Sequence, residues 1–224
     1  MAEYLIQDTT LDAIADAINA KTGGSSAMTP AEMVTAIGSI SGGETIEHGV
    51  KLDAIDSNGY ATEITVIGDT IYNPCARSTR FLVKVNAPDA VCVVGDALRD
   101  LTNANMSPLT LPKLEYMAGG QNGIYNCFFP QIYLPLLNTN PNNAATEQIY
   151  DTKLTYIEIG SLGHPVIQNF HPNFFRGNSQ AFDCVIFTEK TTLAEAQALF
   201  SNAPWQGTNA TMIYKNSVTG EVLT

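Results

Sequence analysis

Positive charge is scarce in this chain. Its 224 residues hold eleven Lys and Arg against twenty-two Asp and Glu, a formal net charge of −11, and the basic residues form no run. Phosphate binding needs clustered cations, so nucleic acid is excluded as a partner. An acidic surface keeps the chain soluble or faces a cationic partner. Charged residues of either sign make up only 15% against 45% apolar, which excludes a disordered chain. The length allows one domain, or one with an appendage. No apolar run is long enough to span a membrane, so no insertion is expected. Residues 1–8 lack the basic and apolar regions of a signal peptide. Synthesis in the cytoplasm, with any exit by a route other than ordinary secretion, is therefore expected. The four cysteines, Cys75, Cys92, Cys127 and Cys184, form no C-x-x-C pair. Two disulfides are possible, but buried thiols are the expected state in a reducing compartment.

Signatures of chemistry are missing as well. There is no G-x-S-x-G, H-E-x-x-H, P-loop or G-x-G-x-x-G, so neither a cofactor nor a catalytic residue is expected. His164 and His171 could meet Asp183 around a metal. Each of these histidines precedes a proline in a turn-rich stretch, so loop roles are expected and no metal. Cys184 with His171 lacks an orienting third group. Asp96 and Asp100 read as a solvated turn. A glycosidase would need two acids held across a sugar cleft, and no such pair can be read.

What the chain does have is a repeat. Met106-x-x-Leu109-x-Leu111-Pro112 returns upstream as Leu82-x-x-Val85-x-Ala87-Pro88. Downstream it returns as Phe129-x-x-Ile132-x-Leu134-Pro135, Leu154-x-x-Ile157-x-Ile159-Gly160 and Phe182-x-x-Val185-x-Phe187-Thr188, with a weaker first copy Ala61-x-x-Ile64-x-Val66. Marker residues 64, 85, 109, 132, 157 and 185 step by 21, 24, 23, 25 and 28. A period of about 20–29 residues with this phrase marks a leucine-rich-repeat-like solenoid. The alternation puts one short strand in each repeat, stacked in parallel on the next copy.

With the markers facing inward, Asn86, Thr110, Tyr133, Glu158 and Ile186 form one outward column. Lys84, Pro108, Gln131, Tyr156 and Cys184 form its neighbour. Exposed solenoid sheets bind partners, so Lys84, Asn86, Thr110, Gln131, Tyr133, Tyr156 and Glu158 are the candidate partner-binding residues. The rigid, amphipathic Tyr133 and Tyr156 lead them. A second recurring element, Gly68-x-x-Ile71-Tyr72-Asn73-x-Cys75, has a shortened copy in Gly123-Ile124-Tyr125-Asn126-Cys127. Ile149-Tyr150 and Phe174-Phe175 look like worn counterparts. Its aromatic and its thiol are expected to point inward, with Tyr72, Tyr125 and Tyr150 as a core ladder.

The ends differ from the repeats. Residues 9–22 carry Leu11, Ile14 and Ile18 at helical spacing after a Thr10 cap, and Gly23-Gly24 ends them. Thr29-Pro30-Ala31-Glu32 is a capping box opening a second helix with Met33 and Ile37 on its apolar side. Together these predict an N-terminal αα-hairpin over 1–43, with Ser41-Gly42-Gly43 as linker. Residues 44–224 then form the repeat domain. It opens on a β-hairpin over 49–67 around Asp56-Ser57-Asn58-Gly59. A helix begun by the box Thr192–Glu195, Trp205 and a strand at 211–214 form its C-terminal cap, with 218–222 as a last hairpin or tail.

The joined phrases over about 61–215 resemble the BspA-type leucine-rich repeats of bacterial surface and adhesion proteins. Residues 5–40 resemble the opening of tail and baseplate proteins from phages and prophages of Gram-positive bacteria. The second resemblance implies that Leu11, Ile14, Ile18, Met33 and Ile37 attach the protein to a particle. Jointly the two imply a non-enzymatic α+β repeat protein of a virion tail tip, fibre or baseplate. Its partners would be other tail or baseplate proteins and a host cell-surface glycan or protein, with a homotrimer as the form usual for that class. A freestanding bacterial surface or secreted binding protein is the alternative, and a polysaccharide-degrading enzyme a third.

Overall fold

The computed structural model describes residues 14–20, 29, 32–33, 49–72, 82–95, 97–118, 123–138, 148–203, 205 and 207–224. The chain divides into two compact units, Met1–Ile46 and Glu47–Thr224. In the first, residues 14–20 are helical, with Ala15, Ile18 and Met33 buried and Ile14 exposed. Thr29 and Glu32 form the reciprocal cap: Glu32 N donates to Thr29 Oγ1 at 3.3 Å, and Thr29 N to Glu32 Oε2 at 2.7 Å. The Thr29 N–H, and after it the Thr29 hydroxyl donating to the same oxygen at 2.7 Å, hold the Glu32 carboxyl below its usual range. Leu11, Ile37, the linker and the pairing of two helices lie outside the described residues.

The second unit is a β-solenoid of about five turns with stacked parallel strands. It opens on the antiparallel hairpin β1 (Gly49–Ile55) and β2 (Ala61–Ile67), closed by the Asp56–Gly59 turn. After β3 (Thr70–Ile71), one turn of the coil holds β4 (Lys84–Asn86), β5 (Cys92–Val94) and β6 (Leu98–Arg99). The next holds β7 (Leu109–Thr110), β8 (Tyr116–Ala118) and β9 (Ile124–Tyr125). Then follow β10 (Gln131–Leu134), β11 (Ile149–Tyr150), β12 (Tyr156–Ile159), β13 (Phe175–Arg176), β14 (Ala181–Thr188) and β15 (Asn209–Asn216). The coil thus has three walls, where the phrase alone predicts a single strand per repeat. The front wall runs β1-β2-β4 and then β7-β10-β12-β14-β15. Ser107 N bridges the two parts by donating to Val83 O at 2.7 Å. The second wall is β3-β5-β8 and the third β6-β9-β11-β13.

The marker residues set the front register as expected over most of its length: Ile64 lies beside Val85, Leu109 beside Ile132, and Ile132 beside Ile157. Of the residues three before the markers, Leu82, Met106, Phe129, Leu154 and Phe182 are buried and Ala61 is half-buried. The last copy is out of register by one. Ile157 pairs with Cys184 and Glu158 with Val185, so Phe182, Cys184 and Ile186 face the core. Asp183 and Val185 take the outward columns that the sequence assigns to Cys184 and Ile186. Residues 184–188 are all buried, so hydrophobicity no longer alternates there. A one-residue slip then exchanges the two faces.

The second recurring element also divides. Ile71 pairs with Val93 on the second wall, while Leu98, Ile124, Ile149 and Phe175 stack on the third. The column beside those four is Arg99, Tyr125, Tyr150 and Arg176, so Phe175-Arg176, and not Phe174-Phe175, is the counterpart. These aromatics face outward, contrary to the expected core ladder. Tyr125 and Tyr150 stack at 5.2 Å and 9°, with the Arg99 guanidinium 5.0 Å from one ring and that of Arg176 6.0 Å from the other. Tyr72, on a different wall, is exposed. The thiol does point inward: Cys127 is buried and donates to Leu98 O and Tyr125 O. One rung on, Thr152 takes the same position. Cys92, Cys127 and Cys184 are buried as thiols, and Cys75 lies outside the described residues.

One core runs from Ile64 to Tyr214. Its C-terminal end is closed by the helix Leu193–Leu199, whose Thr192–Glu195 capping box forms as expected. Trp205 and Phe200 pack there with Phe170, Phe174 and Phe175. A final turn brings Val222 antiparallel to Lys215.

Candidate binding face on the front sheet

Parallel stacking places residues two apart on one rung beside their counterparts on the next, about 4.8 Å away. On the front wall this makes two outward columns. One runs Thr65, Asn86, Thr110, Tyr133, Glu158, Val185 and Ile213; the other Glu63, Lys84, Pro108, Gln131, Tyr156, Asp183 and Thr211. All seven predicted surface residues lie in these columns, but they separate into two groups.

At the hairpin end the charges satisfy one another. Glu63 Oε1 accepts from Lys84 Nζ at 2.7 Å and from Asn86 Nδ2 at 2.9 Å. Those two bonds, Lys84 first, hold the Glu63 carboxyl below its usual range. Asp53 accepts from Thr65 Oγ1 and pairs with Lys51 at 3.0 Å, and its carboxyl is lowered likewise. Lys84 and Asn86 are thus engaged within the sheet.

The middle of the wall is organised differently. Gln131 and Tyr133 stand on one rung, Tyr156 and Glu158 on the next, with the rings on one diagonal and the polar groups on the other. The rings are 5.8 Å apart and tilted by 48°, half-buried and open to solvent. Tyr133 Oη donates to Gln131 Oε1 at 2.9 Å, and Tyr156 Oη to Glu158 Oε2 at 2.6 Å. Burial first, then the bond to Glu158, pushes the Tyr156 phenol well above its usual value. It stays a donor at any ordinary pH. Each ring is therefore fixed by its own strand, which lowers the entropy a ligand would otherwise have to remove. Thr110 is exposed beside Tyr133, and Asp183 is exposed beside Tyr156. Sequence reasoning considered Asp183 only as a metal ligand and left Thr211 out of the face; the corrected register of β14 brings both into it.

The other candidates fall apart. Among the described residues no group of three His, Cys, Asp or Glu could hold a metal. His164 closes a tight turn with Ser161, and His171 accepts from Asn173 N through Nδ1 while its carbonyl accepts from Trp205 Nε1. Cys184 is fully buried, and desolvation pushes its thiol far up, so it is held protonated and away from any substrate.

The fold and face together define a parallel β-solenoid repeat protein with an open, aromatic-centred front sheet. No family model, curated protein or solved structure matches the chain.

Proposed function

We propose that this chain is a non-enzymatic recognition component of a phage tail or tail-like particle. Residues 1–46 dock it to other tail or baseplate proteins, and the solenoid, of BspA-type leucine-rich-repeat kind, meets a host cell surface. The observation that carries the reading is the division into a compact N-terminal unit and a solenoid whose front sheet keeps fixed, half-exposed tyrosines in the open. An enzyme needs a shielded reactive group, whereas a recognition face needs rigid amphipathic side chains with a polar rim. Ile18 and Met33 are buried and fit a structural part in the attachment unit; Ile14 is exposed and fits the contact itself. In this reading the particle carries the chain as a trimer, since avidity multiplies a weak single-site contact.

The test is to purify particles from the producing strain and search them for this chain by mass spectrometry. Its presence, and its loss from particles when Ile14→Asp is introduced into a chain that still folds, supports the reading. Recovery in the cell envelope would favour a freestanding surface protein.

A further inference from the structure

We propose that the Tyr133–Tyr156 patch is a subsite for a glycan rich in protonated amines, a polymer of unacetylated hexosamine. Glu158 and Asp183 receive its ammonium groups in this proposal, which rests on the recognition role just given. The Tyr156 ring is bracketed by these two carboxylates, one two residues along its own strand and the other directly across on β14. No cation among the described residues pairs with either, whereas Glu63 and Asp53 at the hairpin end each hold a lysine. Within the two front columns, the carboxylates without a lysine or arginine are therefore the pair beside the aromatic patch, and they call for a cationic ligand.

The rings decide what kind of cation. Two half-exposed faces, fixed on adjacent rungs, match the flat C–H face of a saturated sugar ring. A cation beside a tyrosine gains further from the ring's quadrupole. Around the rings the free groups are mostly acceptors, and Gln131, whose Oε1 is taken by Tyr133, keeps its amide N–H for a sugar hydroxyl. A neutral N-acetylated polymer would leave both carboxylates without a counter-charge. An anionic one would be repelled.

The experiment is titration calorimetry of the full-length chain at about pH 6. The probes are glucosamine hexasaccharide, its fully N-acetylated counterpart and hexalysine. The unacetylated hexamer is expected to bind at least tenfold more tightly than the other two. Tyr133→Ala and Tyr156→Ala should each weaken it tenfold or more, and Glu158→Gln and Asp183→Asn several-fold, with circular dichroism unchanged. Equal binding of the acetylated hexamer, equal binding of hexalysine, or no binding of any probe overturns the proposal. Particle adsorption separates this from failure of the parent reading. If Tyr133→Ala lowers adsorption to host cells while no hexamer binds, the amino-sugar assignment falls and the recognition role stands. If adsorption is also unchanged, both fall.

Discussion

Gly160 stands where three earlier copies of the repeat phrase have proline, and its geometry explains the exchange. Its φ is +76°, which proline cannot reach, and a Cβ there would lie 2.9 Å from the His164 carbonyl oxygen and 3.2 Å from Phe187 Cβ. Alanine would carry the left-handed penalty of ~1–2 kcal/mol and force the 161–164 turn to shift. Gly160→Ala is therefore expected to cost about 2–4 kcal/mol, read as a lower denaturation midpoint; an unchanged midpoint would mean the turn is soft. Tyr214 carries a pH prediction. Burial, helped by the neighbouring Cys184, pushes its phenol up to about 12, against about 10 in an unfolded chain. The raised value makes its contribution whole below about pH 10. Between about 10 and about 12 the unfolded chain loses its proton first, so stability falls as pH rises. Tyr214→Phe keeps the ring stacked on Phe200 and removes the titration, so Tm should decline less between about pH 9.5 and 11.5 than in the parent. Equal slopes would refute the assignment.

Among the elements, the C-terminal cap makes the most exacting packing. Trp205 closes the last coil against Phe175 at 4.7 Å and Phe170 at 5.7 Å, and spends its one donor on the His171 carbonyl. Trp205→Ala should cost about 3–5 kcal/mol and loosen the rung above β14. Trp205→Phe, which keeps the ring but orphans that carbonyl, should cost less; the ranking is checked by urea unfolding, and a reversed order would refute it. The same elements show what was legible in the sequence. Front strands could be read because Φ-x-Φ alternation is the period of a strand with one buried face, and Leu109, Ile132 and Ile157 stand in register as that predicts. Both capping boxes were readable because the signal is local. The second and third walls were not, since strands such as Leu98–Arg99 and Ile149–Tyr150 are two residues long and contain no period at all. Ile71-Tyr72 and Ile124-Tyr125 look alike but stand on different walls, which only the spacing through the coil decides. In β14 a buried run from Cys184 to Thr188 left two registers open, and packing chose the one that puts Asp183 on the binding face.

At the scale of the whole molecule, a solenoid's stability is close to a sum over neighbouring rungs, so what matters is where the sum is cut. The contiguous core contains residues from Ile64 to Tyr214 with Leu223 packed on it. The first rung is already closed by a β1–β2 hairpin whose outer strand blunts its own edge with Lys51, Asp53 and a register shift between Leu52 and Ala54. Residues 47–224 expressed alone should therefore fold. Their Tm should lie within about 4 °C of the full chain's, the shift that roughly 1 kcal/mol produces at this size. Removing the other end instead, residues 209–224, strips β15 from β14 along its whole length and bares the core residues Phe182, Cys184 and Ile186. That chain should aggregate or melt far lower. Circular dichroism melts of the two truncations decide the matter. A 47–224 fragment that fails to fold would make the helical unit part of the solenoid's cap and would remove the ground for assigning it a separate attachment role.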